Sequence, residues 1–277
     1  MINQIHSLTW HDGVELLDVE LHGHPFGKHS HDRFAIGVIE SGVGGNVYRG
    51  EKCVLPPKTL SLMNPDELHD GFAVSEQLKY QSIYITDKSM QAFIGDRTLH
   101  GFRQYMADDA DGIVMRSLSG IGRRLDTKNH AGWRLAIDTE LTSMLEALLL
   151  RHSKTKPMKA GQEPNAVRII KEYLDSLCAL SSDLSNVHFI ETVTLTSLAD
   201  LVDLNPNYLL NIFTRHVGVP PYAYWMTRRI AVSKKLLTHG WSKIRIAQEL
   251  GFHDQAHFTR AFKRNTGVTP GQFVAHR

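Results

Sequence analysis

Two sets of side chains in this sequence have types and spacings that could do chemistry. The first lies on two helical stretches near the C-terminal end. With Phe258 as the inward direction and about 100° per residue, Phe258, Ala261 and Phe262 share one face. Ala256, Arg260 and Lys263 fall opposite, flanked by Gln255, His257, Thr259 and Arg264. Forty-nine residues upstream, Leu209, Ile212 and Phe213 face inward, while Asn207, Asn211 and Thr214 face outward beside Leu210 and Arg215. Gln, Asn and Arg pair bidentately with base edges in the major groove, whereas Lys and Thr suit phosphates. The same faces would also suit two small helical bundles with polar exteriors.

The second set is histidine. Sixteen are present, and His29, His31 and His69 stand among short β-rich runs. Three imidazoles can ligate a metal, or they can hydrogen-bond across a barrel mouth and line a pocket for an organic molecule. Strand alternation adds Tyr48 and Gln81 to that candidate pocket.

These side chains need elements to position them. From about residue 14 to 86, β-rich runs such as 34–39, 59–63 and 80–85 alternate with Gly, Pro and Asn turns, which predicts a small antiparallel barrel or sandwich. After residue 88 the pattern turns helical. Leu135, Leu141, Leu145, Leu148 and Leu149 recur at helical spacing over 131–152, and this helix is expected to pair with its copy in a second chain, the alternative being that it packs onto its own barrel. Residues 153–164 are polar and read as a linker.

Beyond the linker the chain repeats itself. Phe213, Arg215, Gly218, Val219 and Pro221 match Phe262, Arg264, Gly267, Val268 and Pro270 at an offset of 49. Leu198 and Ala199 match Ile246 and Ala247 at an offset of 48. Each copy reads as a helix-turn-helix, at about 194–216 and 242–265. Thr194, Ser242 and Asp254 are the expected N-caps, and Gly251 ends a helix. The repeat favours reading heads over plain bundles.

Composition narrows the function classes. Cys53 and Cys178 lack a partner spacing, so neither a disulfide framework nor a thiolate zinc site is indicated. The first residues lack signal-peptide features, and apolar runs fall far short of a membrane span. A cytoplasmic protein is expected, with no membrane partner. Residues 164–277 carry 13 Lys and Arg against 8 Asp and Glu, a balance compatible with a polyanion. No nucleophile triad, phosphate loop or acid/base pair is evident, so an enzyme is not expected.

Residues 165–277 resemble the DNA-binding domain of the AraC/XylS family of transcription regulators. The pattern is carried by Leu198, Ala199, Tyr208, Leu209, Phe213, Gly218, Pro221, Arg229, Gly251, Phe252, Asp254, Gln255, His257, Phe258, Arg260, Phe262, Gly267 and Pro270. The resemblance implies two helix-turn-helix units held by a connecting helix at about 221–237. Their reading helices would enter adjacent major-groove segments roughly 34 Å apart. Base contacts are expected from Asn207, Leu210, Asn211, Gln255, Ala256, His257, Thr259 and Arg260. Phosphate contacts are expected from Thr194, Thr214, Arg215, Ser242, Lys243, Lys263 and Arg264. Asn211 stands where many members have Arg, and Lys243 where an aliphatic residue is usual.

His29, His31, Gly42, Pro56, Asn64 and His69 resemble the cupin-type effector-binding domain found before this DNA-binding domain. The implied fold class is α+β and multidomain: a cupin-like β-barrel with trailing helices over 1–152, then an all-α domain. The spacing of His29 and His31 resembles the opening of a cupin metal motif. That motif needs a carboxylate four or five residues later, where Ala35 and Ile36 stand, and Glu40 lies too far along. No metal and no other cofactor is therefore expected. The expected function is a sequence-specific transcription regulator, an activator that responds to a small organic effector in the barrel. Its partners would be operator DNA, a second copy in a homodimer, and RNA polymerase. The alternatives are a cupin-type metalloenzyme and a constitutive DNA-binding protein whose barrel only dimerises.

Overall fold

A computed structural model describes residues 2–22, 26–48, 50–128, 130–156, 163–178 and 193–275. It divides into two compact units, Met1–Leu125 with Glu140–Met158, and Asp126–Thr139 with Lys159–Arg277.

The first unit is built of antiparallel strands. β1 (Ile2–Ser7), β2 (Val14–Leu21), β4 (Phe34–Ser41), β7 (Thr59–Met63), β9 (Leu78–Ile85) and β10 (Met106–Asp108) form one sheet, in the order β1-β2-β9-β4-β7-β10. β3 (Phe26–His29), β5 (Gly44–Tyr48), β6 (Glu51–Leu55) and β8 (His69–Ala73) form the other, in the order β3-β8-β5-β6. The first six residues of β4 are all buried. Such a strand reads as an unbroken apolar run because both of its faces are covered. α1 (Asp87–Ile94) follows, capped by the Thr86 side chain, and then α2 (Ile113–Asp126). The Asp109 carboxylate accepts the Val114 and Met115 N–H groups at 3.1 and 3.0 Å, satisfying donors that a helix start leaves unpaired.

The helix expected over 131–152 is α3 (Trp133–His152). Its leucines do not form a dimer seam. Leu141, Leu145, Leu148 and Leu149 are each 3% exposed or less within the single chain, so a second copy has no access to them. The reading of 153–164 as a linker also needs correction at its start. Ser153 Oγ donates to Leu149 O at 2.8 Å, Thr155 Oγ1 accepts the His100 N–H at 3.2 Å, and both side chains are buried. Residues 157–162 of that stretch lie outside the described residues.

The second unit is helical. α4 (Pro164–Ser176) precedes α5 (Leu195–Asp200) and α6 (Pro206–Val217), the first helix-turn-helix. α7 (Pro221–Thr238) connects it to α8 (Lys243–Glu249) and α9 (Gln255–Thr266), the second, and α10 (Pro270–Ala275) follows. The repeat survives in the caps. Thr194 and Ser242 hydroxyls cap α5 and α8, Asn205 and Asp254 side chains cap α6 and α9, and Gly218 and Gly267 end them at φ 84° and 82°. A left-handed residue closes a helix at little cost only when it lacks a Cβ.

The expected boundary at residue 152 is displaced, since 126–139 belongs with the helical unit. The reasons are local. The Ala131 N–H donates to Gly251 O at 2.7 Å, and Asp138 Oδ2 accepts the Leu195 N–H at 2.8 Å. Gly132, at φ 73°, lies so close to the Trp225 ring that a Cβ would fall 2.2 Å from it. Among the described residues no helix is long and apolar enough to cross a membrane.

Candidate functional site

Most of the face expected to read DNA is presented on α9. Gln255, Ala256, Arg260, Lys263 and Arg264 are exposed, while Phe258 and Phe262 are wholly buried beneath them. Asp254 Oδ1 accepts the His257 N–H at 2.6 Å, fixing the start of the helix. That hydrogen bond, and a second to His253, hold the Asp254 carboxyl below the usual range. Thr259 is half-buried, with its hydroxyl donating back to Gln255 O at 2.8 Å.

His257 is the exception on this helix. It is half-buried, its ring lies 4.7 Å from His130 and 5.5 Å from Phe252, and its Nδ1 accepts the His253 N–H at 3.3 Å. Burial, then the charges of Arg229 and Arg260, push its pKa down to about 4. The ring braces the first turn and is only partly open to solvent where a base contact is expected.

On α6 part of the expected outward face is buried. Asn207 is 2% exposed and Leu210 4%, which removes both from the expected set of base readers. Leu210 shares a core with Val167, Ile170, Leu174 and Cys178 from the stretch around α4, so an extra layer covers this helix. Asn211 is half-buried and donates to Asn207 Oδ1 at 2.9 Å. Thr214 is half-buried and Arg215 exposed. Among the expected phosphate contacts, Thr194 is half-buried at its cap, while Ser242 and Lys243 are exposed.

Arg229 was legible only as part of the family pattern. It is wholly enclosed, donating from Nε to Leu250 O at 2.8 Å and from NH1 to Ala131 O at 3.3 Å, with its guanidinium 4.1 Å over the Phe252 ring. Desolvation lowers its pKa to about 10. It ties α7 to the turn before α9.

The first unit encloses a cavity of about 380 Å³. Its apolar wall includes Leu17, Val19, Leu21, Leu55 and Leu78, and its polar groups include Arg33, Tyr84 and the three expected histidines. β9 turns Tyr80, Ser82 and Tyr84 to the cavity, and Gln81 therefore points away, accepting from Ser119 Oγ of α2 at 2.9 Å. The expectation for Gln81 was one residue out of register, which in a strand means the opposite face. Tyr48 does not line the cavity either; it is buried and stacked on Tyr105 at 4.3 Å between ring centroids.

The structure does bring the three histidines together. Ring centroids are 4.5 Å apart for His29 and His69, 4.8 Å for His29 and His31, and 5.1 Å for His31 and His69. Burial, followed by the neighbouring imidazoles, takes the His31 pKa down to about 4, and burial likewise lowers that of His69. The Arg33–Glu15 ion pair at 2.8 Å, between the residue preceding β4 and a residue of β2, is a feature the sequence alone does not mark.

A barrel with a lined cavity and a pair of helix-turn-helix units, one presenting a basic polar face, define a ligand-binding transcription regulator. Residues 198–276 match the family model for a helix-turn-helix domain, and residues 12–145 match that for an AraC-like ligand binding domain. The chain is 28% identical over 239 residues to the uncharacterized HTH-type transcriptional regulator YbfI of Bacillus subtilis (strain 168), covering 84% of this chain and 81% of that one. It is 26% identical over 261 residues to the HTH-type transcriptional activator RhaS of Enterobacter sp. (strain 638), covering 88% and 86%. The C-terminal domain of AraT, a response regulator from Geobacillus stearothermophilus, aligns at 25% identity and a TM-score of 0.34, over 40% of this chain and 85% of that one. The chain belongs to the AraC family of transcription regulators.

Proposed function

We propose that this regulator recognises a specific operator mainly through α9, senses a small organic effector held in the barrel cavity, and activates transcription. The observation that carries the reading is the exposed row Gln255, Arg260, Lys263 and Arg264, backed by buried Phe258 and Phe262. Arg260 has the reach for a bidentate bond to guanine, and Lys263 and Arg264 stand one turn on, where phosphates run. Activation is supported by similarity to a relative named as an activator. RNA polymerase is the partner this requires. The cavity, large enough for a small metabolite and mostly apolar with a few polar groups, has the make-up of a ligand site. No catalytic role is assigned, and the site of action is the cytoplasm.

Genome-wide mapping of bound DNA tests the reading. A shared sequence motif under the bound peaks is expected, and occupancy without a motif overturns it. A metabolite screen by thermal shift, followed by operator titration, tests the effector. A ligand that raises Tm but leaves operator affinity unchanged counts against sensing. A homodimer is part of the proposal, with a contact other than Leu141 and Leu145; a monomeric mass in light scattering at working concentration overturns it.

A further inference from the structure

Three neighbouring strands set a row of small side chains into the cavity wall. β9, β4 and β7 place Ser82, Gly37 and Ser61 side by side, and all three residues line the cavity. On one side the same strands place Tyr84, Ala35 and Met63, and on the other β9 and β4 pair Tyr80 with Ile39. A Cβ on Gly37 would fall 2.9 Å from Ser82 Oγ and 3.7 Å from Ser61 Cβ. The serines therefore flank a bare patch of backbone, which a ligand can approach closely because no Cβ stands there. Ser82 is 6% exposed, and its hydroxyl has no hydrogen-bond partner among the described residues. The hydroxyls of Ser61, Tyr80 and Tyr84 have none either, and burial raises the pKa of both tyrosines, which keeps them neutral. From the facing sheet Asn46, 4% exposed, also lines the cavity, and its Oδ1 meets no donor. Buried polar groups are seldom left unpaired, so these point to a molecule that pairs them.

The charged groups of the lining are already engaged. Arg33 lies between Glu15 at 2.8 Å and Asp32 at 3.5 Å, and Asp70 accepts the Val47 N–H at 2.7 Å. A carboxylate brought to Arg33 would meet Glu15, and an ammonium brought to Glu15 would meet Arg33. Either ion would give up its water without gaining a free counter-charge. Hydroxyls and amides, by contrast, donate and accept, which suits a neutral alcohol or carbonyl oxygen. On β2, Leu17 stands opposite Ser82 and Val19 opposite Tyr80, so an apolar surface adjoins the hydroxyl row. We propose that the effector is an uncharged alcohol or ketone with an apolar body. Its oxygen pairs with Ser61 and Ser82 beside Gly37, and its body packs on Leu17, Val19 and Leu78. The proposal rests on reading the barrel as the effector site and names the chemistry of what it holds.

Benzyl alcohol, benzoate, benzylammonium and toluene share one ring and differ in charge and oxygen, which makes them the probes. NMR titration of the full chain near neutral pH should show the alcohol binding at least about tenfold more tightly than either ion. An ion that binds as well as the alcohol, or an alcohol that does not bind, overturns the proposal. Ser82→Ala should weaken the alcohol by about fivefold and leave toluene unchanged, since only the hydrogen bond is lost. Retained toluene binding shows that the variant's cavity is intact. Should alcohol affinity stay unchanged in Ser82→Ala and in Ser61→Ala, or fall in step with that of toluene, the assigned contact is overturned. Operator titration with saturating benzyl alcohol separates the two readings. Unchanged operator affinity counts against sensing, while selective binding of the alcohol still supports an uncharged occupant. Tighter binding of benzoate that also shifts operator affinity overturns the uncharged class and keeps the barrel as the sensor.

Discussion

α6 and α9 are two copies of one unit, cut to the same length and closed by matching caps, yet they do not offer DNA the same surface. On α9 the side chains opposite the buried phenylalanines are in water. On α6 Asn207 and Leu210 are buried, Asn211 and Thr214 are half-buried and Arg215 alone of the set is exposed, and Val167, Ile170 and Leu174 of α4 share a core with Leu210. A repeat in sequence sets the backbone unit, and the neighbours packed against each copy then decide which face stays free. The proposed reading by α9, with a smaller part for α6, rests on that difference in exposure.

The largest effect that would test this contrast is at Leu210. Leu210→Ala should lower unfolding stability by about 2–5 kcal/mol, as for other buried leucines, with base preference unchanged. Chemical denaturation and operator-variant titration measure the two separately, and a stable variant with altered preference would return Leu210 to the reading face. Next comes Arg260→Ala, expected to cost about 1–3 kcal/mol at the cognate operator and to relax preference at one base pair. Asn211→Ala should cost less, under about 1 kcal/mol, since its amide is already bonded to Asn207. Equal losses from the two, read against single-base operator variants, would erase the difference between the helices.

A smaller effect concerns His257. Its folded pKa, about 4, lies below the 6.5 of the free side chain. The unfolded chain therefore binds more protons between those values, and stability is full above pH 6.5 and lost as pH falls toward 4. His31, His69 and His152 shift in the same direction, so the measurable quantity is the difference between wild type and His257→Gln. The variant's Tm should fall less steeply over that window; an identical pH slope would mean the ring is not the brace described here. Smallest is Lys263→Ala. It should weaken every operator variant alike and reduce the slope of log affinity against log salt by about one. A base-selective loss would move Lys263 from phosphate to the reading set.

The sequence by itself determined the parts that depend on nearest neighbours along the chain. Period 3.6 behind Phe258 and Phe262, the caps Thr194, Ser242 and Asp254, and the offset of 49 define both helix-turn-helix units to within a residue or so. Turn residues and apolar runs marked the strands, and the triplet His29, His31 and His69 was legible as a set. Only the tertiary structure decided which faces survive burial. Leu210 and Asn207 look exposed on a helical wheel because a wheel contains one helix, and the α4 residues that share a core with Leu210 are invisible to it. Gln81 turned away from the cavity because a strand has two faces and the sequence marks the alternation more surely than its direction. Residues 126–139 joined the helical unit through Ala131, Gly132 and Asp138, one backbone donor, one missing Cβ and one carboxylate, none of which leaves a periodic trace. Contacts between segments far apart in sequence depend on which surfaces meet, and that is settled by the packing of the whole unit.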